Sequence, residues 1–65
     1  MKLVVNGVEQ EIAAETLAAA LDKLDYGEAR VATALNGEFV PARKRGETAL
    51  CEGDRVEIVA PRQGG

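Results

Sequence analysis

The residues with the most distinctive chemistry in this chain are its last two, Gly64 and Gly65. A terminal α-carboxyl group is an anion at neutral pH and can attack the α-phosphate of ATP. The resulting acyl-adenylate carries AMP as a good leaving group, which a sulfur nucleophile can displace to leave a thiocarboxylate. Glycine suits such an end, because a Cβ would widen the chain and restrict its torsions inside another protein's cleft. We therefore expect Gly65 to be the reacting residue and Gly64 to be required for its activation.

Pro61 and Arg62 add two further features to the end of the chain. Proline fixes φ where the chain would leave a domain, which limits the entropy lost when the end enters a partner. Arg62 is placed to meet phosphate or an acidic cleft wall, so we count it with Gly64 as required for activation. We expect residues 61–65 to form a flexible tail.

The composition lacks two of the residue types that enzymes often use for catalysis. Histidine and serine are absent, so none of the three threonines has a histidine to activate its hydroxyl group. The single cysteine, Cys51, cannot supply a zinc or iron–sulfur ligand set, and we expect it to be a small buried hydrophobe. The sequence thus predicts no metal, no bound cofactor and no catalysis by the chain itself.

Charge and hydropathy limit the class of partner. Eleven acidic against eight basic residues give a net charge of −3, which argues against nucleic-acid binding and favours a protein partner. No apolar stretch approaches the roughly 20 residues of a membrane span, and the first residues lack the apolar run of a signal peptide. We expect a cytoplasmic protein that binds no membrane.

The start of the chain, residues 1–12, predicts a β-hairpin. Two alternating sets of residues flank Asn6-Gly7, a pair typical of two-residue hairpin loops because both positions need positive φ. Met1, Leu3 and Val5 alternate with Lys2 and Val4 before the turn, and Val8, Gln10 and Ile12 alternate with Glu9 and Glu11 after it. A second Asn-Gly pair stands at Asn36-Gly37. We interpret both pairs as turn chemistry alone.

A helix of about ten residues is predicted next. Leu17, Ala20, Leu21 and Leu24 follow the spacing of one helix face, with Thr16 as its N-cap. We expect Gly27 to end it. So short a helix cannot persist alone, so its leucines must pack on a sheet.

The second half of the chain predicts three more strands. Residues 31–35 and 38–40 flank the second Asn-Gly turn, and the proline at position 41 ends the return strand. A polar, irregular stretch follows, in which Arg43-Lys44-Arg45 reads as a solvated loop and a docking patch for an acidic partner is the minority interpretation. Residues 55–60 then form the last strand.

Two apolar residues are candidates for a partner interface, Phe39 and Val59. Val59 points away from the face that carries Val56 and Ile58. For Phe39 the first interpretation is a core or half-buried position on the sheet. The second is an exposed aromatic side chain that anchors a partner.

The predicted fold is α+β, with one helix packed across a mixed sheet of four to five strands. Such a chain has room for a single domain, which we place at residues 1–60 with the tail at 61–65.

Three segments carry a resemblance to a known family. They are VNG at residues 5–7, ALNGEFVP at 34–41 and GDRVEIVAPRQGG at 53–65. Together with the element order, they resemble the ThiS-type sulfur carriers of thiamine biosynthesis, within the ThiS/MoaD ubiquitin-like (β-grasp) family. The match is loose between residues 42 and 52, where Ala42 intervenes before the arginine that often follows the proline.

The resemblance implies a set of partners and a role as protein co-substrate. A cognate E1-like adenylating enzyme would use ATP to activate Gly65, and a cysteine desulfurase persulfide would provide the sulfur. Thiazole synthase would then receive it for the thiazole ring.

Three alternatives stay open from the sequence. The small subunit of molybdopterin synthase shares the chemistry and the Gly-Gly ending, although such subunits tend to be longer. A ubiquitin-like modifier would end in an isopeptide bond to a lysine. A pure interaction or RNA-binding β-grasp domain would make no use of Gly64 and Gly65.

Overall fold

The computed structural model describes residues 1–27 and 30–60, which fold into one mixed sheet with a helix across it. The predicted tail lies outside the described residues. In chain order the elements are β1 (Lys2–Val5), β2 (Val8–Glu11), α1 (Leu17–Lys23), β3 (Ala32–Leu35), β4 (Glu38–Val40), a 3₁₀ helix (Ala42–Glu47) and β5 (Arg55–Val59). The predicted α+β class and mixed sheet are confirmed.

The last strand, β5, lies in the middle of the sheet. The strand order is β2-β1-β5-β3-β4, with β5 parallel to β1 and antiparallel to β3. Both hairpins, β1–β2 and β3–β4, are antiparallel. The sheet is completed only when the end of the chain returns between its two hairpins.

Both hairpin loops have the geometry that the Asn-Gly pairs predict. Asn6 and Gly7 have φ of 50° and 85°, and Asn36 and Gly37 have φ of 52° and 88°. Positive φ at both central positions matches the right-handed twist of the flanking strands, and glycine, asparagine and aspartate adopt it at lower cost than other residues.

The helix begins as predicted but ends earlier. Thr16 Oγ1 accepts from the Ala19 N–H at 3.2 Å. Asp25 takes positive φ of 68° and its N–H bonds the Asp22 carbonyl at 3.2 Å, while the Tyr26 N–H bonds Leu21 at 2.8 Å. This bonding pattern is a Schellman cap with Asp25 in the position usually held by glycine.

The prediction that Gly27 ends the helix is therefore wrong. A Cβ at Gly27 would collide only with the carboxylate tip of Asp22, an exposed side chain that can rotate away.

The core lies between α1 and the inward face of the sheet. Its buried members are Leu3, Val5, Ile12, Leu17, Ala20, Leu21, Val40, Leu50, Val56 and Ile58. The alternation predicted for β5 is confirmed, since Val56 and Ile58 are buried while Arg55, Glu57 and Val59 are exposed.

The one buried polar side chain among the described residues, Thr33, is held in a small network. Its hydroxyl donates to the Val40 carbonyl at 2.8 Å and accepts from Arg45 Nε at 3.0 Å, and Arg45 Nη2 also donates to the Val31 carbonyl. Arg45 is half-buried in the 3₁₀ helix, so the interpretation of this residue as part of a solvated loop is wrong.

Cys51 is exposed, contrary to the sequence expectation, and Leu50 is buried in its place. The Leu50 N–H bonds the Glu15 carbonyl at 2.9 Å, and this contact with the segment before α1 turns Leu50 inward. The next residue then enters the turn toward β5, where the Cys51 N–H donates to Asp54 Oδ2 at 2.8 Å.

In the described part of the chain, no helix has the length and apolar character that crossing a membrane requires.

Candidate functional site

The end of the chain that the sequence analysis predicts to react follows β5, which ends at Val59. Ala60 is the last described residue, so the predictions for Arg62, Gly64 and Gly65 fall outside the described part of the chain. The site that the structure can define is therefore the surface around the end of β5.

An apolar patch lies on the sheet face opposite α1, next to the end of β5. The strand register pairs Ala34 with Phe39 and Ala32 with Val59, and paired residues share a face. We call these four residues the outer patch. Phe39 is 70% exposed and Val59 62% exposed.

The structure brings the two predicted interface residues onto one surface. Val59 points as predicted, away from Val56 and Ile58. The first interpretation of Phe39, as core or half-buried, is wrong. Its inward-facing neighbour Val40 fills the core position instead, which leaves the ring on the outer face.

The outer patch borders a shallow concavity. This concavity has a volume of about 460 Å³, and its walls include Asn6, Ala32, Ala34, Phe39, Glu57 and Val59. Two alanines between the larger side chains leave room over β3. A concave apolar surface with one carboxylate is suited to receive an apolar side chain of another protein.

Most of the other residues on this face are charged. Glu57 lies opposite Ala34, and Lys2 and Glu11 are paired across β1 and β2. The hydrogen bond from the N-terminal ammonium group of Met1, at 2.9 Å, lowers the pKa of Glu11, and the charges of that ammonium and of Lys2 act in the same direction. The outer face is thus apolar beside the end of β5 and polar toward β2.

Asn6 and Asn36 take part in more than their turns, so the interpretation of these pairs as turn chemistry alone is wrong. The Asn6 side chain bonds both the N–H and the carbonyl of Ile58, at 2.8 and 3.2 Å. The Asn36 side chain accepts from the Arg55 N–H at 3.0 Å and donates to Asp54 Oδ1 at 3.1 Å. No local signal in the sequence predicts these bonds, because they depend on β5 returning beside both turns.

Within residues 1–27 and 30–60, no group of three or more His, Cys, Asp and Glu side chains is arranged to hold a metal ion.

The comparisons with known proteins agree with the fold. Residues 3–65 match the ThiS family. The crystal structure of a thiamine biosynthesis protein (ThiS) from Geobacter metallireducens is similar, with a TM-score of 0.83, 32% identity and 100% of both chains covered. A thiazole synthase of Paramagnetospirillum magneticum is 41% identical over 61 residues, which cover 92% of this chain. The chain spans 19% of that relative's length.

Proposed function

Because this chain belongs to the ThiS family of ubiquitin-like sulfur carriers, we propose that it supplies sulfur for formation of the thiazole ring of thiamine. Its C-terminal residue in this role is Gly65, whose carboxyl group becomes a thiocarboxylate. The chain acts as a co-substrate, and partner enzymes perform the catalysis.

The observation that carries this proposal is the position of the outer patch. Val59 belongs to the patch and is also the last residue of β5, so the patch adjoins the residue after which the chain continues toward Gly65. A partner that docks on Phe39 and Val59 therefore holds its own active site close to the start of the tail. Aromatic side chains such as Phe39 are enriched in the buried core of protein interfaces, and Val59 adds apolar contact area beside it.

The chemistry runs in two stages. A carboxylate oxygen of Gly65 attacks the α-phosphate of ATP, pyrophosphate leaves, and an acyl-adenylate forms in the active site of an adenylating enzyme. The terminal sulfur of a persulfide, such as that of a cysteine desulfurase, then attacks the acyl carbon and AMP leaves. The new bond is the C–S bond of an acyl disulfide, which keeps the S–S bond of the persulfide. A second thiol attacks the donor's sulfur in that S–S bond, so that the two thiols end as a disulfide and the thiocarboxylate is released. ATP is thus a substrate of the partner, and the carrier binds no cofactor.

The proposed recipient of the sulfur is thiazole synthase. A protein named thiazole synthase contains a stretch that is 41% identical to this chain, and carrier and recipient on one chain would raise their effective concentration. This likeness supports a thiazole synthase as the partner in the second reaction.

Intact-mass measurement tests the proposal. The protein is incubated with ATP, a persulfide donor and, in separate reactions, the adenylating enzyme of thiamine synthesis or that of molybdopterin synthesis. We expect a mass shift equal to the exchange of one oxygen for sulfur, localised to Gly65, with the thiamine enzyme.

The matched control carries one additional alanine after Gly65. Blocking the carboxyl group should abolish the shift completely. An equal shift in the extended protein would overturn the proposed site, and activation by the molybdopterin enzyme alone would overturn the proposed pathway.

A further inference from the structure

The turn between β1 and β2 reaches across to the end of β5 through a side chain. Asn6 Oδ1 accepts from the Ile58 N–H at 2.8 Å, and Asn6 Nδ2 donates to the Ile58 carbonyl at 3.2 Å. The Asn6 backbone N–H also bonds the Val56 carbonyl at 2.9 Å. One residue therefore holds two successive positions on the same edge of β5.

This contact continues the sheet where β1 has already ended. β1 pairs with β5 only at Val4–Arg55 and Val5–Val56, whereas β3 pairs with β5 as far as Val59. A carboxamide has the same donor and acceptor as a peptide group, so the Asn6 side chain replaces a strand residue opposite Ile58. The last hydrogen bonds on that edge of β5 are therefore made by the Asn6 side chain.

Asn36 makes the corresponding contact at the other end of β5. Its backbone N–H bonds the Arg55 carbonyl at 2.8 Å, and its side chain bonds the Arg55 N–H and Asp54. The two asparagines have nearly the same φ, 50° and 52°, and each precedes a glycine. They differ mainly in which end of β5 they hold.

We infer that Asn6 is a positioning residue, whose side-chain amide fixes the end of β5 and so the direction in which the chain leaves the sheet toward Gly65. This inference rests on the proposed function. Chain direction matters because a tail that already points toward the partner's active site loses less conformational entropy on binding. Asn36 holds the start of the same strand and leaves that direction unaffected.

Two matched variants separate positioning from stability, Asn6→Gly and Asn36→Gly. Glycine accepts positive φ, so both turns keep their geometry while each variant loses two side-chain hydrogen bonds to the β5 segment. In the adenylation assay with full-length protein, Asn6→Gly should raise KM for the carrier about fivefold to tenfold with kcat nearly unchanged. Asn36→Gly should also lower the melting temperature, by less because its side-chain bonds are exposed, and should change KM less than about twofold.

Amide hydrogen exchange of the free protein is a second measurement, which tests the contact between Asn6 and β5 without any partner. Asn6→Gly should speed exchange of the Ile58 N–H about tenfold or more, because its acceptor is removed, while Asn36→Gly should not. If Asn6→Gly does not fold, Asn6→Asp replaces it, since aspartate also tolerates this φ and lacks the amide donor to the Ile58 carbonyl. Aspartate keeps an acceptor for the Ile58 N–H, so KM compared with that of Asn36→Gly is then the deciding measurement.

The outcomes are distinct. Equal KM values for the two variants, or unchanged Ile58 exchange in Asn6→Gly, would overturn the inference. Absence of activation in the unsubstituted protein would instead contradict the proposed function, and the exchange measurement would still decide whether Asn6 holds the end of β5.

Discussion

Phe39 lies directly opposite Ala34 on the outer face of the β3–β4 hairpin. A small residue opposite a large one leaves the phenyl ring without a cross-strand neighbour to cover it, and 70% of the residue is exposed. An aromatic residue in this setting contributes little to folding and presents a large apolar area to a partner.

Phe39→Ala should therefore weaken docking without weakening the fold. We expect KM for the carrier in the adenylation assay to rise about 10-fold to 100-fold, since truncation of an interface anchor costs about 1.4 to 2.8 kcal/mol. Val8→Ala is the matched control, because Val8 is 59% exposed but does not belong to the outer patch. Equal KM changes in the two variants would argue against docking on the patch.

Glu57 should set the electrostatic preference of the same surface. Its carboxylate is the acidic group on the wall of the concavity, so the facing part of the partner is expected to be basic. Glu57→Lys should slow association about tenfold at low salt, with less effect at high salt. The control, Glu9→Lys, makes the same charge change toward the β2 edge. If stopped-flow association rates fall equally for the two variants, Glu57 has no specific role in partner docking.

Gly64→Val should block activation and leave the fold unchanged. A β-branched side chain restricts the torsions next to the reacting carboxyl group and widens the chain. We expect loss of nearly all thiocarboxylate by intact mass, with a melting temperature equal to that of the unsubstituted protein, since position 64 follows the last strand.

The control for Gly64→Val is Gln63→Val, which changes a residue that already carries a side chain. Activation should survive this second substitution. Full activity of Gly64→Val would show that a narrow chain end is not required.

Thr33→Val should destabilise the fold and spare the chemistry. The buried hydroxyl joins the Val40 carbonyl to Arg45, and its loss leaves Arg45 Nε without this acceptor. We expect the free energy of unfolding to fall by about 1 to 3 kcal/mol. Thr48→Val removes a hydroxyl that bonds Lys44 at an exposed site, so its effect in denaturant titration should be smaller. If Thr33→Val lowers the free energy of unfolding by less than Thr48→Val does, the buried network is not important for stability.

Glu11 should titrate below its ordinary range, because the ammonium group of Met1 lowers the pKa of its carboxyl group. A depressed pKa contributes stability that is present above the pKa of the unfolded chain and is lost as pH falls through the pKa of the folded chain. Carboxyl carbon shifts followed by NMR should give this lowered midpoint. Acetylation of the Met1 amine should raise it, and an unchanged midpoint after acetylation would contradict the assigned cause.

Local sequence patterns were sufficient for most of the elements. The Asn-Gly pairs predicted both hairpins, Thr16 predicted the start of the helix, and the alternation in residues 55–60 predicted which side chains of β5 are buried. These features depend on backbone preferences and on solvent exposure within a few residues, so they are readable before any tertiary contact is known.

Several of the errors occurred where distant residues decide the local environment. The basic run at residues 43–45 predicts a solvated Arg45, yet Thr33 and Val31 supply acceptors for its guanidinium group in the fold. The sequence predicts a buried Cys51, yet the backbone hydrogen bond from Leu50 to Glu15 turns Leu50 inward and leaves Cys51 facing outward. Burial of a single residue in an irregular segment depends on which elements lie above it, and short-range patterns do not contain that information.

The sequence by itself thus determined most of the elements, the family resemblance and the candidate residues Phe39, Val59 and Gly65. Only the tertiary structure decided that Phe39 and Val59 share one exposed surface and that Asn6 holds the end of β5. The physical reason is that β5 joins the sheet last in chain order, between two hairpins formed by distant residues. Its register against β1 and β3 brings these side chains together, and no local spacing specifies that register.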